Sequence, residues 1–263
     1  MTEGISSSVD AETLVGYGFK LSPGGSHVSR TMMLSELDAL LHSVPEGSQV
    51  LDYATAILTD NVLGKTTVTT RQKSLRHLRE LYALDEQCPL FKLLRTLHNR
   101  DPKSLPQLAI QVAWARDPLL RATASAVLGA EVDSLVVPGK LEEAIATAFP
   151  HQYSELNLNK IARNAASSWT QSGHLVGRSR KIRHQLKPSV VTIVLALALG
   201  TLTGHAGAMV FSSPWCRLLD LRPEQAKSLA FEAHRAGYIH LRAIGEVVEI
   251  GYPIFRGVIS FPE

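Results

Sequence analysis

Apolar residues recur at helical spacing over most of the chain. Leu34, Leu37, Leu40 and Leu41 mark one face of a helix that Pro45-Glu46-Gly47 ends. A second helix is predicted from Val50 to Asp60, with Leu51, Ala54, Ile57 and Leu58 on its inward face. A third, capped by Thr69 or Thr70, turns Leu75, Leu78, Leu81 and Tyr82 inward and interleaves them with Arg71, Lys73, Arg76 and Arg79. Further helices are predicted at 89–98, 105–115, 117–128 and 139–148, and Asp117-Pro118 is a cap followed by proline at the first helical position.

Pro150 then punctuates the pattern, and a soft domain boundary is expected there. A helix from Leu156 to Ser172 should end at Gly173, followed by short strands around Leu175-Val176 and Lys181-Ile182-Arg183. Pro223 opens another helix that runs to Gly237. Two strands should follow it, Tyr238–Arg242 and Glu246–Ile250, joined by a turn at Ala243-Ile244-Gly245. The predicted fold is mainly α, with a helical N-terminal module and C-terminal winged-helix-like units carrying short β-hairpins. Its expected divisions are a flexible segment 1–30, a helical module 31–150 with a helix-turn-helix-like basic helix, and a winged-helix-like module 151–263.

The stretch from Pro188 to Cys216 lacks Asp, Glu, Lys and Arg, and Val190 to Leu199 is strongly apolar. Its dense part is about 13 residues, short of the roughly 20 that a membrane span needs. After Gly200 it dilutes into Thr201, Thr203, Gly204, His205 and Gly207. A buried core helix ending near Gly204 is therefore expected, in a soluble protein. Cys88 and Cys216 are far apart and outside any CxxC spacing. They give no disulfide framework and fit a reducing cytoplasm, and the polar start of the chain shows no apolar signal region.

Total charge is uninformative at +3, but its distribution is not. From Leu156 to Leu219 there is no Asp or Glu, while Lys160, Arg163, Arg178, Arg180, Lys181, Arg183, Lys187 and Arg217 all fall inside. A second acid-free window, Asn61 to Arg79, carries Lys65, Arg71, Lys73, Arg76 and Arg79. Segregated cations suit a polyanion, because each neutralised phosphate releases condensed counterions.

The expected DNA contacts are Lys65, Thr70, Arg71, Lys73 and Arg76 in the first window. In the second they are Ser168, Gln171, Arg178, Arg180, Lys181, Arg183 and Lys187, where a polar helix precedes a basic wing. The second hairpin, with Glu246 and Glu249, suits packing or protein contact better.

Catalytic signatures are missing from the sequence. Its histidines fall in no HExxH or other metal-ligand spacing, and no GxxxxGK[ST], GxGxxG or GxSxG motif is present. No cofactor and no enzyme activity are expected. His205 and Trp169 suit core packing.

Four strings carry a family resemblance: Lys73-Ser-Leu-Arg-His-Leu-Arg-Glu-Leu-Tyr82, Arg116-Asp-Pro-Leu-Leu-Arg-Ala-Thr123, Ser167-Ser-Trp-Thr-Gln-Ser-Gly-His-Leu175 and Gly245-Glu-Val-Val-Glu-Ile-Gly-Tyr-Pro253. Together they resemble the BrxA component of bacteriophage exclusion (BREX) defence systems, over roughly residues 30–253. The resemblance implies a small cytoplasmic DNA-binding protein working beside a methyltransferase, an ATPase and a phosphatase-like component. The family offers no strict residue signature for DNA contact, so the contacts named above rest on charge alone. The alternative is a helical scaffold that docks other defence subunits without touching DNA.

Overall fold

The computed structural model describes residues 9–244 and 247–261. Its helices are α1 (Ala11–Tyr17), α2 (Leu34–Ser43), α3 (Val50–Leu58), α4 (Val68–Tyr82), α5 (Pro89–Arg100), α6 (Leu105–Arg116) and α7 (Pro118–Ala122). They continue with α8 (Ala124–Leu128), α9 (Pro138–Ala148), α10 (Glu155–Gln171), α11 (Val190–Leu202), α12 (Pro214–Leu218) and α13 (Pro223–Arg235). The described strands form two antiparallel hairpins: β1 (Leu175–Val176) with β2 (Ile182–Arg183), and β3 (His240–Ile244) with β4 (Val247–Gly251). The fold is mainly helical, as the hydrophobic spacing predicts.

Two helices occupy the middle because they have no polar face to offer to water. In α6 every residue from Leu108 to Arg116 is buried, and in α11 every residue from Val191 to Gly200 is buried. A helix that is apolar all round needs neighbours on every side. Here α6 is surrounded by α4, α5, α7 and α11, and α11 by α5, α6, α12 and α13. No single helix among the described residues is long and apolar enough to cross a membrane.

Gly200 shows how closely α11 is packed. A Cβ there would lie 2.9 Å from Val210 Cγ2 and 3.2 Å from Ser213 Oγ.

Several local expectations are corrected. The N-cap of α4 is Thr67, whose hydroxyl accepts from Thr70 N at 3.2 Å, so Thr69 and Thr70 lie inside the first turn. Leu51 is 72% exposed rather than inward, since Tyr53, Ala54, Ala56 and Ile57 form the buried face of α3. The predicted helix 117–128 breaks at Thr123 into α7 and α8, although Asp117 caps α7 as expected, accepting from Leu119 N and Leu120 N.

Residues 9–30 are not loose. Asp10 caps α1, Leu14 and Phe19 are buried, and Ser26 and His27 sit in the interior. At the second hairpin, Ala243 and Ile244 remain in the strand and pair with Val248 and Val247. The expected turn residue Gly245, and Glu246 after it, lie outside the described residues.

The chain around residue 150 is held together on both sides. α9 and α10 pack on each other across that point, and residues 133–136 form an extra edge to the first hairpin. Asp133 N donates to Arg183 O at 2.8 Å, Arg183 N to Ser134 O at 2.9 Å, and Val136 N to Lys181 O at 2.9 Å. Chain order through this region is therefore edge segment, α9, α10, β1, β2, with β2 in the middle of a three-segment ribbon. Buried side chains from Leu14 to Phe255 form one connected core, with none of it confined to either side of residue 150.

Candidate nucleic-acid interface

The phase of α10 is set by Ile161, Ala162, Ala165, Ser168 and Trp169, which recur at helical spacing and are buried. Trp169 is anchored by its Nε1, which donates to Thr123 Oγ1 at 2.8 Å. Ser168 is thus an inward residue, and its assignment as a DNA contact is corrected. Its hydroxyl lies 2.8 Å from His27 Nε2, accepts from Met32 N at 2.8 Å and donates to Asn164 O at 3.1 Å. Gln171 is half-buried and similarly engaged, accepting from Leu34 N at 3.2 Å and donating to Thr31 Oγ1 at 3.1 Å. Both residues fasten α10 to the segment 27–34.

The opposite face of α10 points outward. Leu156, Asn157, Lys160 and Arg163 are exposed and Ser167 is half-exposed. Lys160 and Arg163 make no ion pair among the described residues. Both belong to the basic window, yet composition alone does not single them out as its outward cations. The inward phase of Trp169 is the signal that does.

The first hairpin carries its cations on its turn. Gly177 has a φ of +99°, in the left-handed region, and a Cβ there would lie 2.1 Å from Arg180 O, so the tight turn requires glycine. Arg178 and Arg180 on that turn are exposed. Lys181 is half-buried and donates to Gly177 O at 2.8 Å, and burial lowers its pKa.

Arg183 is corrected outright. It is 3% exposed, paired with Asp220 Oδ1, and donates to His184 O and to His174 O. Asp220, the residue that ends the acid-free window, folds back to neutralise a cation inside it. Lys187 is exposed.

In the first window the cations also divide. Lys65 pairs with Glu36 at 2.9 Å, and Arg71 donates to Leu58 O at 2.6 Å. Thr70 is half-exposed and bound to Thr67. Lys73 and Arg76 are exposed, with Thr69 and Gln72 beside them on the same outward face of α4. Arg76 approaches His77 Nε2 at 3.3 Å. Burial lowers the His77 pKa, and Arg76 and Arg30 push it in the same direction.

One segment joins the two helices. Ser26 and Ser29 bond to His77 of α4, while His27 bonds to Ser168 of α10 and its carbonyl accepts from Asn164 at 2.9 Å. The Tyr82 hydroxyl at the end of α4 donates to Met32 O at 2.5 Å. α4 and α10 therefore flank a common strip, residues 26–34, that includes Arg30.

Ser168, His27 and Asp117 stand in the order familiar from hydrolases, with His27 Nδ1 2.8 Å from Asp117 Oδ2. Burial pushes the Asp117 carboxyl up, but His27 and the amides of Leu120 and His27 outweigh it and hold it below the usual range. All three residues are buried and the serine proton is directed to Asn164 O. The arrangement ties the segment between α1 and α2 to α7 and α10, and it offers a substrate no approach in this conformation. Compared with known proteins, the chain matches no family model and no curated sequence.

Proposed function

We propose that the protein binds double-stranded DNA, chiefly through the phosphate backbone, and has no catalytic role of its own. The observation that carries this reading is an edge segment, two packed helices and a hairpin in sequence, with exposed cations on the outward face of α10 and on the hairpin turn. That order is the layout of a winged helix, in which the second helix of the pair enters the major groove and the wing follows the backbone. Lys160 and Arg163 would lie along the groove, Arg178 and Arg180 on the wing, and Lys73 and Arg76 on a second helix reaching the same duplex. Lys65 and Arg183 leave the set of DNA-contacting residues because each already has a carboxylate. With the resemblance to BrxA, the reading becomes a cytoplasmic accessory protein of a phage-exclusion system.

A second reading, a scaffold for other defence subunits, is favoured by Leu156, which is 85% exposed on the same face of α10. Lys160→Ala with Arg163→Ala separates the two. DNA binding predicts weaker affinity for every duplex sequence and a shallower salt dependence. Unchanged DNA affinity in the folded double variant would leave that face to a protein partner.

A further inference from the structure

Three side chains away from the basic face meet near the C-terminal end of α2. Asp38 and His42 are four residues apart on α2, so they share a side of the helix. His98 comes from α5. One candidate ligand atom from each lies within 4.8 Å of the other two. His42 Nδ1 donates to Asp38 O at 2.9 Å and lies 3.3 Å from Asp38 Oδ1, which leaves Nε2 as its free ring nitrogen. Two donors on one tetrahedral ion, each bonded at about 2.0–2.1 Å, stand about 3.4 Å apart. The three candidate atoms, all within 4.8 Å of one another, would close to about that separation around an ion.

His98 points to a ligand independently. It is 3% exposed, and neither ring nitrogen has a hydrogen-bond partner among the described residues. Buried polar atoms are almost always satisfied, so an imidazole with two idle nitrogens calls for a further partner. Its ring stands edge-on to that of His42, with centroids 5.7 Å apart.

Charge around the cluster is compatible with a cation. The C-terminal end of α2 is the negative pole of its dipole. Arg95 is the opposing charge, and its head group is held by the carbonyls of Leu41 and Val44. Glu46 supplies a further carboxylate beside α5, accepting from Asn99 Nδ2 at 2.6 Å.

We propose that Asp38, His42 and His98 form a binding site for a first-row transition ion of the zinc type, with water completing a tetrahedral shell. Two imidazoles and one carboxylate suit such an ion, whereas magnesium and calcium select oxygen donors. The ion would clamp α2 to α5. The His42 side chain is 59% exposed, which gives an entry route and freedom to complete the geometry.

The test is a titration of metal-free full-length protein with Co²⁺, followed by displacement with Zn²⁺. The expected result is one equivalent bound, with visible absorption of a tetrahedral cobalt centre that zinc abolishes, and a higher thermal midpoint in the loaded form. His42→Ala, at an exposed position that leaves the fold intact, should weaken binding by at least about 100-fold, since loss of an outer-shell partner alone costs 10–100-fold. Asp38→Asn should weaken it as well. Failure to take up either ion, or uptake that His42→Ala leaves unchanged, would overturn the site.

Discussion

A cation's neighbours, more than its place in a basic run, decide what it can do. Arg183 and Arg178 belong to one hairpin, yet Arg183 is sealed against Asp220 while Arg178 faces water. Removing one partner of a buried pair leaves the other charge uncompensated, so Arg183→Ala should cost about 3–5 kcal/mol of stability. Arg178→Ala should stay within about 0.5 kcal/mol. Urea denaturation of the two variants measures this contrast.

His174 supplies a pH dependence at the same scale. It is buried, with Nε2 2.7 Å from Leu218 O and Nδ1 2.8 Å from Ser172 Oγ, and burial pushes its pKa down to about 4. The unfolded chain binds this proton below its ordinary value of 6.5, whereas the folded chain refuses it until about 4. The stability contribution is therefore full above pH 6.5 and is lost as pH falls from 6.5 toward 4. Urea midpoints measured across that range should drop more steeply for the native sequence than for His174→Gln, by up to about 1.4 kcal/mol per pH unit. Equal slopes would show that His174 has no part in the acid sensitivity.

At the scale of the element, hydrophobic spacing locates most helices and both hairpins, and charge locates the basic windows. What neither supplies for the polar and charged side chains of α10 and its hairpin is orientation. Ser168 and Gln171 look like free donors on a polar helix, and only the burial of Trp169 and Ala165 on their side turns them inward. Asp220 is distant along the chain from Arg183, so no local pattern announces that pair. The metal-site candidate is obscure for the same reason: Asp38 and His42 share a helix face, but His98 joins them only through the packing of α2 near α5.

Orientation makes a prediction that separates the two faces of α10. Lys160→Ala with Arg163→Ala should leave the thermal midpoint unchanged and lower the slope of log affinity against log salt by about 1.8, or about 0.9 for each phosphate no longer neutralised. Ser168→Ala should do the reverse. It leaves Met32 N without its acceptor and should cost about 1–3 kcal/mol, with DNA affinity of the folded protein intact.

For the whole molecule, the core and the ribbon both cross residue 150, where Pro150 alone suggests a boundary. The pairing of 133–136 with 181–183 and the packing of α9 on α10 join the two sides. Thermal unfolding followed by circular dichroism and by tryptophan fluorescence should therefore give one coincident transition. Two separated transitions would restore independent modules.

The proposed function rests at this scale on the outward cations of α10, its hairpin turn and α4 acting together as a surface for a phosphate backbone. The decisive experiment is fluorescence anisotropy of the full-length protein with duplex DNA over a salt series. Log affinity should fall linearly with log salt for unrelated sequences, with a shallower slope when Lys160, Arg163, Arg178 and Arg180 are all changed to alanine. Absence of binding at moderate salt, or a slope indifferent to those four substitutions, would contradict the phosphate-binding surface.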